Sequence, residues 1–350
     1  MSELNHSGTF DGAVSSNRLD EKSLSTLTAG GMLRVGVLSN PQSGGNRKGL
    51  GPVRAALVTY PHVFHQEAVN IADVASALDY FARREVNAVV INGGDGTIQS
   101  VLTIIYHRKV FEKLPLLAVL RAGTTSMTAG DVGLKGSPVQ ALRRLMAWTG
   151  EGKGKVTVLQ RPVLRVQAAP EQEPLYGMFF GAACIYQGIQ FFHDRLNRRG
   201  FRGELAPGLT IAMFIMAAAV KRNNYVVPAP ITVRLDEKVS EQRDWYLLMI
   251  STLERLFLGL RPYWGEEDGP LHFTAVSAKP QHLLRALPAL MRGRPNLYGT
   301  RENGYFSHNA QHVQLTLKGG FALDGELFQG KSFSGPIVVQ EGGKASFLRL

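Results

Sequence analysis

Three apolar stretches in the first half of the chain each run directly into a glycine-containing loop. The stretches at 33–38, 86–91 and 114–120 are followed by SNPQSGG (39–45), GGDGT (93–97) and RAGTTS (121–126). Helical patterns over 71–84 and 97–110 lie between these stretches. Strands that alternate with helices predict an α/β fold with a parallel sheet, whose strands end at the same edge. We therefore expect the three loops to form one ligand site there.

The loop GGDGT has the residue types that a phosphate site needs, with one exception. Gly93, Gly94 and Gly96 lack a Cβ, so they can take positive φ and bring backbone N–H groups close to a phosphate. Thr97 is expected to open the next helix, whose N-terminus attracts anions. Asp95 would repel phosphate, a conflict that a bound metal ion or a proton-accepting role would resolve. The alternative is a tight strand–helix turn in which Asp95 only caps the helix.

The charge of the chain favours an anionic partner. Lys and Arg number 39 against 28 Asp and Glu, a net charge of +11, which suits phosphates, an anionic membrane surface or nucleic acid. Cys184 is the single cysteine, so no disulfide within the chain is possible. Residues 1–31 lack the features of a signal peptide and predict a mostly disordered tail. No apolar run approaches the roughly 20 residues of a membrane span, so a cytoplasmic protein is expected.

Short, often alternating apolar stretches dominate the chain after residue 155. They are 156–168, 231–236, 245–251, 271–278, 313–317 and 336–340. This pattern predicts a β-rich, largely antiparallel second domain. The expected organisation is a tail (1–31), an α/β domain (32–152) and a β-rich domain (153–350).

Four motifs in order resemble those of the diacylglycerol kinase catalytic-domain family, which includes bacterial soluble lipid kinases, sphingosine kinases and ceramide kinases. They are N-P-x-S-G-G at 40–45, G-G-D-G-T at 93–97, A-G-T at 122–124 after a strand that begins L-P, and D-G-E at 324–326. The resemblance implies an NAD kinase/diacylglycerol kinase-like parallel-sheet domain and a sandwich-like β domain, with ATP and Mg²⁺ between them. It implies transfer of the γ-phosphoryl group of ATP to a lipid hydroxyl.

The resemblance also implies roles for individual residues. Glu326 would be the general base, and Asp95 would act with it on metal and phosphates, although some relatives give the base role to the aspartate of G-G-D-G. Asp324 is the third catalytic candidate, and in a strand it would share a face with Glu326. The segment EEDGPL points to Asp268 as a ligand of a structural Mg²⁺. The expected ATP-binding residues are Asn40, Pro41, Ser43, Gly44, Gly45, Gly93, Gly94, Asp95, Gly96, Thr97, Ile98, Gln99, Gly123 and Thr124.

The sequence departs from the family pattern after Thr124. Relatives usually continue with x-N-D, whereas Thr125, Ser126 and Met127 follow here. The acceptor is therefore left open among diacylglycerol, a monoacylglycerol, a sphingoid base and ceramide. Two other functions stay open: an NAD kinase-like enzyme with a soluble acceptor, and a non-catalytic nucleotide- or lipid-binding protein.

A basic segment at 193–204 precedes an apolar run at 209–220. It contains Arg195, Arg198, Arg199 and Arg202 around Leu196 and Phe201. This composition favours peripheral contact with an anionic membrane surface, and a solvated basic loop is the alternative. Nucleic acid would explain the charge but none of the motifs, so it is not an expected partner.

Overall fold

The structure is a computed structural model of the 350-residue chain. It describes residues 18–19, 33–47, 49–123, 126–151, 156–191, 227–238, 240–329 and 335–350. The basic segment 193–204 and the apolar run after it lie outside the described residues, as does the tail 1–31 apart from residues 18 and 19.

Among the described residues, the N-terminal part contains five strands, four of them parallel, and five α-helices. The strands are β1 (Arg18–Leu19), β2 (Val35–Ser39), β3 (Phe64–Glu67), β4 (Ala88–Gly93) and β5 (Leu116–Arg121), of which β1 pairs antiparallel with a later strand. The helices are α1 (Gly51–Val58), α2 (Ile71–Arg83), α3 (Asp95–Thr103, continued by a π-helical turn over Ile104–Arg108), α4 (Met127–Asp131) and α5 (Pro138–Glu151). The parallel strands lie in the order β3, β2, β4, β5. The predicted parallel α/β fold is confirmed.

Burial explains why these segments fold as they do. Every residue of β2 and of β4 is buried, as a parallel strand covered on both faces requires. Helix α2 begins after Asn70, whose Oδ1 accepts the Asp73 N–H at 2.9 Å. Its apolar stripe, which includes Leu78 and Phe81, faces the sheet. Helix α3 begins at Asp95, two residues before the predicted start at Thr97.

The C-terminal part is β-rich and almost wholly antiparallel, as predicted. Its strands are β6 (Thr157–Gln167), β7 (Leu175–Gly177), β8 (Phe179–Ala183), β9 (Ala229–Leu235), β10 (Glu241–Ser251), β11 (Leu271–Ser277), β12 (Tyr305–Ala310), β13 (His312–Leu317), β14 (Phe321–Leu323), β15 (Glu326–Phe328) and β16 (Ile337–Arg349). In the described ranges of this part, the α-helices α6 (Cys184–Phe191) and α7 (Leu283–Leu290) interrupt them. Strand β16 pairs with β6 and with β13, and Phe347 reaches Leu117 of β5 in parallel. One continuous sheet therefore joins both parts.

The two parts also share a hydrophobic core, which fixes α3 relative to the β-rich part. Leu102 of α3 packs in the same buried cluster as Met178 and Phe347. The Thr103 hydroxyl accepts the Tyr176 N–H at 3.0 Å and lies 3.2 Å from the Tyr176 carbonyl. The division of the chain at residue 152 stays a prediction. Within the described residues, no helix combines the length and the apolar character that crossing a membrane demands.

Candidate active site in the cleft between the two parts

Hydrogen bonds bring together the loops that follow β2, β4 and β5. The Asn40 N–H donates to the Asn92 carbonyl at 2.9 Å, and Asn40 Nδ2 donates to Thr97 Oγ1 at 3.0 Å. The Gly45 N–H donates to the Ala122 carbonyl at 2.9 Å. The three loops thus meet at one edge of the sheet, as the strand pattern predicts.

Glycine supplies space in these loops, and not left-handed backbone. None of Gly93, Gly94 and Gly96 has a positive φ, so the positive φ expected for these glycines is wrong. A Cβ on Gly123 would lie 2.7 Å from Cα of Gly94, which no real contact allows. The Gly94 N–H donates to Ser43 Oγ at 3.0 Å. Small residues are needed here because the loop after β4 is held between the other two.

Asp95 joins the first turn of α3 to the first turn of α4. The side chain is buried, its Oδ2 accepts the Met127 N–H at 3.0 Å, and its Oδ1 accepts the Thr128 N–H at 3.1 Å. Burial raises the pKa of the Asp95 carboxyl, and the two backbone N–H groups partly offset this effect. Asp95 therefore caps α4. The alternative stated above expected it to cap α3, the helix that follows its own loop.

Asp324 is the first residue of a two-residue turn between β14 and β15. Asp324 and Gly325 have φ of 48° and 89°, and Leu323 pairs with Glu326 across the turn. Asp324 is buried, and its two carboxylate oxygens accept the N–H groups of Met178 and Phe179, both at 2.9 Å. The expectation that Asp324 and Glu326 share a face of one strand is wrong, because a left-handed turn separates them.

Burial raises the pKa of the Asp324 carboxyl well above its usual value. The charge of the neighbouring Asp95 raises it further, and Glu326 adds a smaller effect in the same direction. The N–H groups of Met178 and Phe179 act in the opposite direction. The Asp324 carboxyl is therefore close enough to both Asp95, which is far from it along the chain, and Glu326, two residues later, to be affected by their charges.

Glu326 is the member of this trio that is exposed to the cleft. It follows the turn, opposite Leu323, and its carboxylate lies where a Cβ on Gly96 would be. The surrounding cavity has a volume of about 510 Å³. It is lined by Asn40, Gln42, Ser43, Ala68, Val69, Asn70, Ile71, Val74, Gly94, Gly96, Thr97, Gln99, Ser100, Glu326, Leu327 and Phe328.

The other predicted nucleotide-binding residues within the described ranges are not among those that line the cavity. These are Pro41, Gly44, Gly45, Gly93, Asp95, Ile98 and Gly123. Pro41, Gly44 and Gly45 belong to the loop after β2 and are partly or fully exposed. Ile98 points away from the cavity into the core, while its backbone N–H donates to the Gly94 carbonyl. Thr124 lies outside the described residues.

Asp268 lies elsewhere in the fold. Its side chain is exposed on the turn before β11, and its backbone carbonyl accepts Gln311 Nε2 at 3.3 Å. A structural Mg²⁺ at this position stays a prediction. Across the described ranges, no three His, Cys, Asp or Glu side chains converge on a common metal position.

The cleft itself suits a Mg²⁺ ion that substrate phosphates bring with them. Mg²⁺ commonly takes one or two protein carboxylates and completes its octahedron with phosphate oxygens and water. Glu326 is an exposed carboxylate and can serve in this way, whereas the oxygens of Asp95 and Asp324 already accept backbone N–H groups. Of the three carboxylates, Glu326 is therefore the one that could approach such an ion, while phosphate oxygens and water would supply most of its ligands.

Two groups of contacts around the site were not anticipated from the sequence. Asn46 Nδ2 donates to the carbonyls of Asn40 and Asn92, which holds the first two loops together. Arg161 is buried and pairs with Asp131, the last residue of α4, and with Glu254, each at 3.0 Å. For the first group the sequence did contain a signal: Asn92 is a polar residue directly after the apolar residues 88–91 of β4.

Known proteins resemble this chain in fold and, over its N-terminal part, in sequence. The family model of the diacylglycerol kinase catalytic domain matches residues 34–153. A proposed diacylglycerol kinase from Bacillus anthracis str. Sterne is 18% identical, with a TM-score of 0.58 over 91% of this chain and 96% of that chain. A second structure, described as a diacylglycerol kinase from the same organism, is 17% identical, with a TM-score of 0.54 over 91% and 96%. No curated protein matches the chain.

At these identities the solved structures establish the fold alone, and the family model adds a similarity over residues 34–153. The matched range contains the loops after β2, β4 and β5 and the whole of α4. The resemblance predicted from the motifs is confirmed: residues 34–153 match the family model of the diacylglycerol kinase catalytic domain, which supports a kinase.

Proposed function

We propose that the chain is an ATP-dependent lipid kinase, which transfers the γ-phosphoryl group of ATP to a lipid hydroxyl in the cleft. The observation that carries the proposal is the position of Glu326. This exposed carboxylate comes from the β-rich part, yet it lies against Gly96 in the first turn of α3. It therefore faces the glycine loops of the kinase domain across one cavity.

The loops after β2 and β4 are proposed to bind the phosphates of ATP. The amide of Asn40 and the hydroxyls of Ser43 and Thr97 line the cavity, and α3 begins there with Gly94 at its N-cap. The partial positive charge of the helix N-terminus attracts phosphate. Mg²⁺, when bound, would neutralise phosphate charge near Glu326.

Glu326 is the proposed general base. As the lipid hydroxyl oxygen bonds to the γ-phosphorus, the bond from phosphorus to the β–γ bridging oxygen breaks and ADP leaves; the hydroxyl proton passes to the Glu326 carboxylate. Asp95 is less suited to this step because both of its oxygens accept N–H groups of α4. Its proposed role is to hold α4 beside the phosphates, and Asp324 similarly fixes the hairpin that carries Glu326.

An apolar rim supports a lipid acceptor. Val69 and Ile71 are 44% and 50% exposed, and they line the cavity with Leu327 and Phe328. Apolar contacts of this kind suit the chain of a lipid next to its reactive hydroxyl.

We further propose a cytoplasmic protein with a nucleotide-binding domain at 32–152 and a lipid-substrate domain at 153–350. It would contact anionic membranes peripherally, and nucleic acid is not a proposed partner.

The test is transfer of label from γ-labelled ATP, with Mg²⁺, to a panel of lipids in mixed micelles. The panel contains diacylglycerol, a monoacylglycerol, a sphingoid base and ceramide, with NAD as a soluble acceptor. We expect one lipid to be labelled. Glu326→Gln should lower kcat about 10²- to 10⁴-fold, the usual contribution of a general base, with little effect on ATP binding.

The matched control is Glu112→Gln, at an exposed glutamate in the loop before β5, which should leave the rate unchanged. Labelling of NAD and of no lipid would replace the lipid acceptor by a soluble one. Binding of ATP without transfer to any acceptor would indicate a non-catalytic nucleotide-binding protein. Full activity of Glu326→Gln would exclude this residue as the base.

A further inference from the structure

A kinase that takes its acceptor from a bilayer must touch that bilayer, and one surface of the described residues has the composition for it. We propose that helix α7 and the loop that follows it, residues 283–298, dock the protein on a membrane that contains anionic lipid. We call this surface the leucine–arginine face. The inference rests on the proposed function and adds to it the surface that meets the substrate's membrane.

Two leucines on this face are among the most exposed apolar side chains of the described residues. Leu284 is 70% exposed and Leu297 is 90% exposed. The fold holds their segments together, because Asn296 Nδ2 donates to the Arg285 carbonyl at 2.8 Å and the Arg285 guanidinium lies 5.5 Å from the centre of the Tyr298 ring. Each leucine is therefore adjacent to a residue of this contact, and both present apolar surface to solvent.

The exposure of these leucines is not a sign of a poorly packed helix. On the other side of α7, Ala286 and Leu290 are buried against Tyr305 in a core of their own. Gly299, just beyond the loop, is buried, and a Cβ there would lie 2.7 Å from Leu290 Cδ2. The face is thus rigidly supported from within, as an insertion surface needs to be.

The charge of the face complements anionic headgroups. Residues 269–301 contain no Asp or Glu. Arg285, Arg292 and Arg294 are exposed on α7 and its loop, and Lys279 is exposed just before the helix. Basic side chains that flank exposed leucines are typical of segments that lie in the interface of an anionic bilayer. A protein partner would need acidic groups in a matching arrangement, whereas an anionic bilayer supplies negative charge over its whole surface.

The face is connected to the cleft through the chain before it. The Arg261 N–H donates to the Met291 carbonyl at the end of α7, at 3.0 Å. In the same loop, the 3₁₀ turn Phe257–Gly259 contacts α4, the helix whose first N–H groups hold Asp95. Within this turn Leu258 is 87% exposed. Docking at α7 would therefore bring the bilayer next to an element of the proposed active site.

The test is cosedimentation of the full chain with vesicles of phosphatidylcholine alone or mixed with phosphatidylglycerol. This measurement needs no turnover, so its outcome is independent of the proposed chemistry. The variants are the double changes Leu284→Glu with Leu297→Glu, and Arg292→Glu with Arg294→Glu. We expect each pair to weaken binding to the mixed vesicles at least about tenfold, and the arginine pair to remove most of its salt dependence.

The matched controls lie in the N-terminal part. Val58→Glu changes an apolar residue of α1 that is 81% exposed, and Arg143→Glu reverses an exposed arginine of α5. Both controls should bind vesicles like the unchanged chain. Transfer to an acceptor in detergent micelles should be equal in all variants, so loss of that activity in every protein would count against the proposed function and not against the face.

Three results would overturn the inference. The first is unchanged vesicle binding in both double variants. The second is equal weakening in the controls, which would mean that overall charge determines binding. The third is a dimer in solution that the leucine pair dissociates while vesicle binding persists, since the face would then be an interface between copies of the chain.

Discussion

At the scale of single residues, the backbone assigns different roles to three carboxylates that look alike in the sequence. Asp95 and Asp324 are buried, and each accepts two backbone N–H groups. Glu326 comes two residues after Asp324 but is exposed, because the left-handed turn directs the chain back along β15. On one side Glu326 lies against Gly96, and the missing Cβ of this glycine leaves room for the carboxylate.

This contact leads to a prediction in which activity and stability change separately. In Gly96→Ala, the added Cβ overlaps Oε1 of Glu326, which is the end of a flexible side chain and can move away. We expect kcat to fall about 10²-fold, as for other small displacements of a catalytic group. Stability should stay equal or rise by up to ~1 kcal/mol, because Gly96 lies within α3 and alanine is the better helix former. Transfer assays and urea unfolding measure the two quantities.

Gly51→Ala is the matched control, since Gly51 lies in the first turn of α1 and a Cβ there meets nothing within 4 Å. It should leave kcat unchanged. An active Gly96→Ala variant with normal stability would mean that the position of Glu326 does not govern the rate.

At the scale of elements, helix α4 is held at both ends although it has only five residues. Asp95 caps its first turn, and its last residue, Asp131, pairs with the buried Arg161 of β6. Arg161 also pairs with Glu254, whose own N–H donates to Asp131 Oδ2 at 3.2 Å. A helix this short gains little stability from the helix propensity of its residues. These charge-assisted hydrogen bonds at its two ends stabilise it instead.

The arginine should therefore be essential for stability. In Arg161→Met, Asp131 stays buried without its cation, and we expect the free energy of unfolding in urea to fall by about 3–5 kcal/mol. Arg34→Met is the matched control, because Arg34 pairs with Glu85 at a similar distance of 2.9 Å but at the surface, and it should cost under about 1 kcal/mol. Equal costs for the two variants would show that burial of the Arg161 pair is energetically unimportant.

The elements also show what the sequence could and could not predict. Apolar runs located β2, β4 and β5 to within two residues, and the loops after them meet as expected. The strand positions follow from local apolar patterns, and the meeting of the loops follows from the common direction of parallel strands. The roles of Asp324 and Arg161 depend on a left-handed turn and on partners far along the chain, which no local pattern records. The basic segment 193–204 lies outside the described residues, so its membrane role stays a prediction.

At the scale of the whole molecule, the last strand joins the two parts that the sequence suggested as domains. Strand β16 pairs with β6 over most of its length, and Phe347 lies beside Leu117 of β5. Phe347 is fully buried in a core that contains Leu102 of α3 and Met178 of the β-rich part. A proposed active site with Glu326 on one side and Gly96 on the other depends on this junction, because it fixes the width of the cleft.

This junction predicts that the described parts unfold together. Hydrogen exchange, followed by mass spectrometry in rising urea, should give one opening free energy for the amides of β4 and of β10. Phe347→Ala removes a buried aromatic ring from the shared core and should lower both values equally, by about 3–5 kcal/mol. Phe81→Ala, in the same core but within α2, should also lower both. If Phe81→Ala affected β4 and not β10, the parts would be independent folding units, and the width of the cleft would not be fixed by the shared core.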